Sequence, residues 1–522
     1  TDLDGKFSIK VPPGEYEVRV FAPLYLGTRL QKVTVRANEV TKADVVLASA
    51  GKSSVEVVEV VAQANKATEA AQLLRRQKAA TVSDNVSGDA IAKSPDSNAG
   101  EVVKRLPAVT VKGEKYFFVR GLNERYSSTI LNGSRLPSPD PDRRVVPLDL
   151  FPSDFIESLS VVKSYMPNLP GDFAGGLVDI DLREFPDQLK LGLGVSTGAN
   201  TSTTGRRFRT YRGASLDYFG YGRFFRELPA RFPSKNIQLP SVAEQKQYGG
   251  LLRDIWSPRS ETAPPNTGLN LSLGDRFGPF GFELAGIYTT EYQTVHDEVV
   301  RQFFNQGTPE NPSIGENPDN FRNNSSTFKT TLGGILTSAY QPSPNHRFTF
   351  RALIDRNTRD EVDEAVGTTN TAPDLTTSTA GLRYVDEQLE FGQLASEHRF
   401  GFLEVKLRSA FARTTQNVPD GRITTYAAAP GEAPSFQSTG NGGLRYYSCL
   451  DENLTDSGVD FTIPFKTALP FTDAWSGLPG KFTFGPAHSY RDRDFHLRRL
   501  QYTPGSPLDL TQSPEELLNP DN

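Results

Sequence analysis

The stretch PGDFAGGLVDIDLREF, residues 170–185, joins a glycine-rich corner to an alternating strand. Three apolar residues fall on one face of that strand and three charged residues on the other, namely Val178, Ile180 and Leu182 against Asp179, Asp181 and Arg183. The three glycines before the strand indicate a tightly packed backbone. The sequence therefore predicts a unit that is close-packed on one side and charged on the other.

Composition limits the class of protein. The chain has 522 residues, enough for several domains, with 37% hydrophobic and 23% charged residues. No stretch approaches the about 18 continuous apolar residues of a membrane helix. A mean hydropathy of -0.44 still permits a β-barrel, because its strands show only every second residue to lipid. The net charge of -5, without clustered basic residues, gives no reason to expect nucleic acid.

Chemistry-bearing motifs are few. Cys449 is the single cysteine, which excludes an internal disulfide and a cysteine metal site. The five histidines show no metal-ligand spacing. The stretch GVSTG, residues 194–198, matches a nucleophile elbow, but no helix pattern follows it. We expect no enzyme activity, no metal site and no cofactor. Because position 1 is a threonine, we also expect the chain to be a fragment at its N-terminus.

Residues 1–50 have an all-β pattern. Asp4–Gly5 predicts a hairpin turn, Tyr16, Val18 and Val20 alternate with charged residues, and a second alternating run includes Val33 and Val35. This piece resembles a truncated carboxypeptidase regulatory-like β-sandwich. Residues 51–80 begin with a β-prone run at 55–61 and continue with helical composition at 66–78. That segment has two interpretations, a plain linker or an exposed strand that pairs with a partner chain.

Residues 81–187 predict a compact α/β unit. SPDSNAGEVVKRLPAVTV begins with capping residues, continues as a short helix that stops at Pro107, and then enters a strand. YFFVRGLNERYSSTILNG is typical of strand, turn and strand, with corners at Gly121 and at Asn132–Gly133. PLDLFPSDFIESLSVVK places Pro152 at a first helical position before another apolar strand.

From residue 188 to 522 the pattern changes to long amphipathic strands, such as Phe348 to Ile354 alternating with Thr349 to Asp355. Strands of about 9–11 residues or more are long enough to cross a bilayer. GDRFGP, QPSPN and QLASE predict tight turns, whereas the segments beginning QFFNQGT and TTQNVPDG predict long loops on the other side. Alternating short turns on one side with long loops on the other gives roughly nine strands, with 201–264 as the first outer loop.

Within that first loop, RFRTYRGASLDYF is also compatible with a strand pair. Its aromatics Tyr218, Phe219 and Tyr221 would be interfacial girdle residues if the region is a strand. The alternative is a set of loop residues that stack on a ligand.

The order of these pieces, and above all the segments quoted from residues 81–187, resembles a TonB-dependent outer-membrane receptor. The resemblance is close over about residues 80–187 and architectural elsewhere. It implies a mainly β fold with a partial N-terminal sandwich, an α/β plug and an incomplete antiparallel transmembrane β-barrel around the plug. In such a plug the charged strand face meets water and the polar barrel wall, and Arg120 pairs with carboxylates. The plug's structural residues are Arg120, Gly121, Arg125, Asn132, Gly133, Gly171, Asp172, Gly175, Gly176 and Arg183.

The same resemblance implies an energised importer in the outer membrane, with the N-terminal domain in the periplasm. An extracellular ligand binds the outer loops, and the periplasmic protein TonB adds as a strand to the segment before the plug, which holds Glu56, Val57, Val58, Glu59 and Val60. The ligand stays open between siderophore-bound iron, cobalamin, an oligosaccharide and a peptide. The alternative function is a surface receptor, signal transducer or adhesin on the same scaffold without net transport.

Overall fold

The computed structural model describes residues 12–20, 28–35, 41, 45, 68–79, 81–113, 115–171, 173–233, 241–305, 307–315, 318–438, 440–466, 479–502 and 508–519. The chain divides into two compact units, Thr1–Gln63 and Ala64–Asn522. Among the described residues, no helix has the length and apolar character needed to span a membrane.

The first unit contains two antiparallel strands, β1 Gly14–Val20 and β2 Thr28–Val35. They occupy the two alternating runs expected near Tyr16 and Val33, which are cross-strand partners. A turn at Asp4 and Gly5, expected from the sequence, lies outside the described residues. The resemblance to a carboxypeptidase regulatory-like sandwich stays a prediction.

The second unit begins with a helix in the run of helical composition at 66–78, followed by the α/β unit predicted over residues 81–187. The helix is described with that unit because it is hydrogen-bonded to two of its strands. The elements are α1 Glu69–Lys78, β3 Ser83–Ser87, α2 Gly88–Ala92, α3 Ala99–Lys104, β4 Val109–Lys112, β5 Tyr116–Val119, β6 Ser127–Leu131, β7 Ser134–Arg135, β8 Ile156–Val162 and β9 Gly176–Leu182. Short 3-10 helices span Glu124–Tyr126, Leu148–Leu150 and Ser153–Phe155. Pro152 caps the last of these rather than opening an α-helix.

Strand β9 lies at the centre of this unit. The sheet order is β3-β8-β9-β6-β7, so β9 pairs antiparallel with β8 and parallel with β6. Val178, Ile180 and Leu182 are buried, with 0, 0 and 1% of their surface exposed. The apolar face predicted from the sequence is therefore the core of the α/β unit.

A large antiparallel sheet follows. Its elements and those between them are β10 Lys190–Gly198, β11 Arg207–Thr210, a 3-10 helix Ser215–Phe219, α4 Arg223–Arg226, α5 Val242–Gly249, β12 Arg259–Thr262, β13 Asn266–Phe277, β14 Phe280–Gln302, β15 Asp319–Ser343, β16 His346–Thr369, β17 Ala372–Phe400, β18 Leu403–Ala428, β19 Ser435–Phe436, β20 Leu444–Lys466, β21 Pro479–Phe484, β22 Ala487–Gln501 and α6 Pro514–Leu517.

Strands β21 and β22 both pair with β20 and are separated only by Gly485 and Pro486. If they count as one strand and the two-residue β19 is left aside, the described part of the sheet has nine strands, as predicted. A mainly β fold with an α/β unit and a large antiparallel sheet is confirmed.

The two faces of the sheet differ, as β16 illustrates. Arg347 and Leu353 are buried on the face toward the α/β unit, whereas Phe348 and Ile354, 47 and 50% exposed, point the other way. Further apolar residues are exposed in the same half of the sheet, among them Leu191, Leu193, Val195, Leu271, Leu284, Phe350, Leu394, Leu407 and Phe411. The predicted amphipathic alternation is therefore present, with a band of apolar side chains turned away from the α/β unit.

Turns and strand ends differ in part from the sequence prediction. The tight turns at Gly278 and at Asn345 are present, but QLASE continues as strand β17 and the chain turns at Gly401 instead. The segment that begins TTQNVPDG belongs to β18 up to Ala428, so the predicted loop is half as long. Strands β14 to β18 have 23 to 29 residues. They are longer than predicted because, in each strand, the half away from the short turns continues beyond the apolar band as a polar ladder.

At the end of the sheet opposite the turns at Gly278, Asn345 and Gly401, β16 and β17 are joined by a tight turn at Asn370 and Thr371. Residues 199–265, which we call the first connection, join β10 to β13 and correspond to the predicted first outer loop. In it Arg207–Thr210 pairs with Arg259–Thr262 as a two-stranded sheet of its own. Tyr218 and Phe219 lie on a 3-10 helix and Tyr221 follows it, so the strand on which the girdle interpretation depends is not there.

Candidate functional site

Helix α1 is attached to the central strand of the α/β unit by one arginine. Arg75 donates to Oδ2 of Asp181 at 2.8 Å and to Oδ2 of Asp179 at 3.2 Å. Burial disfavours the charge on Arg75, but the carboxylates of Asp181 and Asp179 outweigh burial and raise the pKa of its guanidinium. Two charge-assisted hydrogen bonds therefore hold α1 against β9.

The neighbouring residue continues this attachment. Arg76 lies 3.3 Å from Asp84 on β3, and Asp84 also pairs with the buried Lys163. The amide of Asn85 donates to the carbonyl of Gln72, at 3.4 Å. The segment that precedes the sheet is thus fixed to two of its strands, β3 and β9.

These contacts correct the expectation for the charged face of β9. Asp179 and Asp181 bind Arg75 of α1 rather than the wall, and Asp181 also accepts from the Ser158 hydroxyl at 2.8 Å. Arg183 donates to the carbonyl of Asp154, within the α/β unit. The sequence offered a signal for this pairing, since the basic pair Arg75–Arg76 complements the two aspartates.

The α/β unit meets the large sheet through other charged groups. Glu387 on β17, 2% exposed, lies 3.4 Å from Nζ of Lys115, and receives two hydrogen bonds from Arg359 at 2.9 and 3.0 Å. Lys115 also approaches Asp149 at 3.6 Å. Sequence reasoning missed this cluster because Lys115 and Glu387 are 272 residues apart and no local pattern joins them.

A second charged contact lies nearer the short turns. Glu184, just after β9, accepts from Arg347 at 2.9 Å and from Arg351 at 3.3 Å, both buried on β16. Beside it the Gln393 amide donates to the carbonyl of Asn132 at 3.0 Å and to the Ser134 hydroxyl at 2.9 Å. The sheet therefore presents the polar surface that was expected around the plug. That surface pairs with Glu184, Asn132 and Ser134 and not with the aspartates of β9.

Apolar contacts accompany the charged ones. The core of the α/β unit is continuous with buried residues of the sheet, namely Ala285, Ile287, Ile335, Leu353, Leu389, Phe391, Ala410 and Ala412. Gly333 makes room there, since a Cβ at this position would lie 3.0 Å from the ring of Phe155. The interface is a small apolar patch with ion pairs around it.

Four of the plug glycines named from the sequence have a positive φ or a close neighbour at the Cβ position. Gly121 and Gly133 have positive φ values of 75 and 77°, and Asn132 shares the turn with φ 49°. A Cβ on Gly176 would lie 2.5 Å from a methyl of Val119, and one on Gly175 would lie 3.3 Å from the Tyr126 carbonyl. Gly171 is different, because it is exposed and nothing lies within 4 Å of its Cβ position. The expectation of close packing at Gly171 is wrong.

Two arginines also differ from expectation. Arg120 is exposed, has φ 53°, and makes no ion pair among the described residues, so the predicted buried pairing with carboxylates is wrong. Water solvates its charge in place of a carboxylate. Arg125 is exposed too and lies over the ring of Tyr126, 5.9 Å from its centroid. Asp172 and the predicted TonB-contact residues 56–60 lie outside the described residues.

The first connection packs on the sheet face opposite the α/β unit. Arg226, 2% exposed, binds Asp217 at 2.7 Å and reaches Asp360 of β16 at 2.9 Å. Arg445 of β20 donates to the carbonyl of Arg253 at 3.0 Å and lies 5.8 Å from the Trp256 ring. Buried arginines therefore hold this long connection to the strands at several points.

A cavity of about 1550 Å³ lies between the first connection and the far ends of β18, β20 and β22. Its lining includes four basic residues, Arg223, Lys246, Arg498 and Arg499, one acidic residue, Glu227, and the aromatics Phe232, Tyr248, Tyr447 and Tyr502. A cavity with mixed basic and aromatic lining is suited to a ligand with negative charge and flat apolar parts.

With this geometry in place, the class of the α/β unit is clear. Residues 75–178 match the family model of the TonB-dependent receptor plug domain. The chain therefore carries a TonB-dependent receptor plug domain, and the resemblance seen in the sequence is confirmed. The matched segment begins at Arg75, within the last turn of α1, and ends at Val178, directly before Asp179. No curated protein sequence matches the chain.

Several solved structures are similar to the chain at low identity. The ferric citrate transporter FecA in the unliganded form has a TM-score of 0.34 and 11% identity, over 83% of this chain and 62% of that one. The ferric-catecholate import receptor Fiu from E. coli K12 has 0.37 and 11%, over 81 and 68%. The ferric yersiniabactin uptake receptor FyuA from Yersinia pestis has 0.35 and 9%, over 80 and 62%. The chain thus spans 62% of the length of FecA and of FyuA.

Proposed function

We propose that the chain is the plug and the first part of the barrel of an energised outer-membrane importer. In this proposal a scarce ligand binds on the outside, and TonB adds as a strand to residues 56–60 in the periplasm. Force on that segment then reaches the plug and opens a path for the ligand.

The observation that carries the proposal is the attachment of α1. The helix that follows the proposed TonB-contact segment is bound through Arg75, the first residue of the plug-domain match, to Asp179 and Asp181 of the central strand. Force applied before residue 68 would therefore reach the central strand β9 as well as the edge strand β3. An attachment made of ion pairs also suits repeated release, because water can solvate both partners when they separate.

Two further features support a membrane location. The short-turn half of the sheet exposes a band of apolar side chains on the face away from the plug. Along β16 the outward residues are Phe348, Phe350, Ala352 and Ile354, and the next outward residue is Arg356. An apolar band with polar ends and strands of alternating character is typical of an outer-membrane barrel wall.

The ligand is not assigned by these features. The cavity beside the first connection supports a site on the far side of the apolar band, with basic and aromatic groups around it. We propose this region as part of the ligand-binding surface. Siderophore-bound iron, with its negative charge, fits that lining better than a neutral oligosaccharide does.

The test is a complementation experiment. A strain that lacks the gene is grown with siderophore-iron, cobalamin, an oligosaccharide or a peptide as the sole source of iron, vitamin or carbon. We expect the native gene to restore growth on one source. Val58→Pro should fail to restore it while surface binding of that ligand stays, because proline removes a donor of the added strand.

Gln63→Pro, which lies after the proposed strand, is the matched control and should restore growth. Full uptake by the Val58→Pro variant would overturn the TonB-contact site. If the native gene gave ligand binding at the cell surface but restored growth on none of the sources, the receptor or adhesin alternative would be favoured.

A further inference from the structure

Two histidines far apart in sequence come together in the large sheet. His346 opens β16 and His398 lies near the end of β17, and the two are direct cross-strand partners. Their Nδ1 atoms are 3.0 Å apart. Both side chains lie on the outward face, with the rings of Phe348 and Phe400 beside them at 5.3 and 5.5 Å between centroids. We call these two residues the histidine pair.

We propose that the histidine pair binds a divalent transition metal ion, copper(II) most tightly. Two neutral imidazoles that direct Nδ1 atoms at each other share either one proton or one metal ion. Metal–imidazole bonds are about 2.0–2.1 Å long, so two of them at a right angle place the nitrogens about 2.9 Å apart. At a tetrahedral angle the nitrogens would be about 3.4 Å apart. The observed 3.0 Å fits the right-angle arrangement of tetragonal copper(II).

The scaffold holds the two rings in place before any ion binds. Each histidine lies on a strand of at least 24 residues, next to a tight turn. The turns are tied to each other by the hydrogen bond from the Arg399 amide to the Asn345 carbonyl, 2.9 Å long. Phe348 and Phe400 restrict ring rotation. Little ordering entropy is therefore lost on binding.

The ligand set also sets the kind of ion. Among the described residues, no group of three or more His, Cys, Asp or Glu side chains is placed to hold a metal. The pair therefore supplies two ligands, and water completes the coordination. A closed structural zinc site needs four protein ligands. A site with two imidazole ligands and its remaining coordination positions open to water favours copper(II), for which nitrogen ligands have the highest affinity among the divalent first-row metals.

A bound ion would cross-link β16 and β17 at the end of the sheet where the turns at Asn345 and Gly401 lie. Because the histidine pair faces away from the plug, like Phe348, this site is separate from the plug contacts and does not depend on the proposed function.

The test uses the full chain without a polyhistidine tag, purified in detergent and stripped of metal with a chelator. Copper(II) chloride is added, and electron paramagnetic resonance spectra are recorded together with a binding isotherm. We expect one tight ion per chain with two coordinated imidazole nitrogens, and weaker binding of zinc(II). His346→Asn and His398→Asn should each lower copper affinity at least tenfold.

His296→Asn, at an exposed position on β14, is the matched control and should leave the affinity unchanged. Equal copper binding by the native chain and by the His346→Asn/His398→Asn double variant would overturn the site. So would a spectrum of the native chain with only one imidazole nitrogen, which would indicate a simple hydrogen bond between the rings. That spectrum needs no variant, so a folding defect in the variants leaves the test intact.

Discussion

The core of the plug and the surface by which the plug meets the sheet are built differently. Around β9 the core is apolar and closed, with Val178 and Ile180 fully buried. The surface toward the sheet places ion pairs such as Lys115–Glu387 and Glu184–Arg347 around a small apolar patch. Water can replace an ion pair when its partners separate, whereas exposed apolar surface has no such compensation. The plug is thus a body that keeps its own structure while its contacts with the sheet can be exchanged for water.

The largest effect should come from the core. Ile180→Ala should lower the free energy of unfolding of the plug by about 4 kcal/mol, because it leaves a cavity in a fully buried site. The check is the urea dependence of protease resistance, measured on the full chain in detergent. Leu73→Ala, 59% exposed on α1, is the control and should change little. A loss below about 1 kcal/mol for Ile180→Ala would contradict a closed core.

The next effect should come from the surface toward the sheet. Glu387→Gln leaves Arg359 and Lys115 without their shared carboxylate, at a cost of about 3 kcal/mol. We expect faster hydrogen exchange around Lys115 and Asp149, with β9 still protected. Glu397→Gln, an exposed position on the same strand, is the matched control. Loss of protection in β9 itself would show that core and contact surface are one cooperative unit.

A smaller effect tests the glycine corner. Gly176→Ala should destabilise the plug by about 2 kcal/mol, because the new methyl would meet Val119 at 2.5 Å. Gly171→Ala has open space and should be neutral. The same urea experiment measures both variants. Equal stability of the two would mean that β5 and β9 approach each other less closely than described.

The smallest effect concerns α1. Arg75→Gln should cost about 1 kcal/mol or less, because the side chain is 39% exposed and salt screens its charge. Hydrogen exchange of α1 should rise, and raising the salt concentration in the native chain should reproduce part of that rise. Arg76→Gln, whose side chain is 59% exposed, should have less effect. An α1 insensitive to both changes would remove the support that this attachment gives to force transmission.

Local signals were enough to predict the plug. The Asn132–Gly133 corner, the helix before Pro107 and the alternation from Val178 to Leu182 each depend on neighbours in sequence, and all three are present. Outward apolar alternation likewise predicted the faces of the large sheet. These features depend on residue spacing alone, which a single sequence displays.

Contacts between distant segments were not predictable in the same way. Asp179 and Asp181 signal a charged face, but which cation binds them depends on the path of the chain after Arg75. In the halves of β16 to β18 away from the short turns, both faces carry polar residues, so the sequence pattern there resembles a loop. The strand pairing of the apolar halves nevertheless continues through them. The histidine pair, 52 residues apart, is visible only once strand register is known.

The two-residue turn at Asn370 and Thr371 has a practical consequence. It ends a hairpin whose 24-residue first strand is roughly 80 Å long at about 3.3 Å per residue, and only the half near His346 carries the apolar band. If that band lies in lipid, the turn stands far out from the cell, where antibodies and phages first meet the molecule. A short epitope inserted there would then make the protein countable on living bacteria.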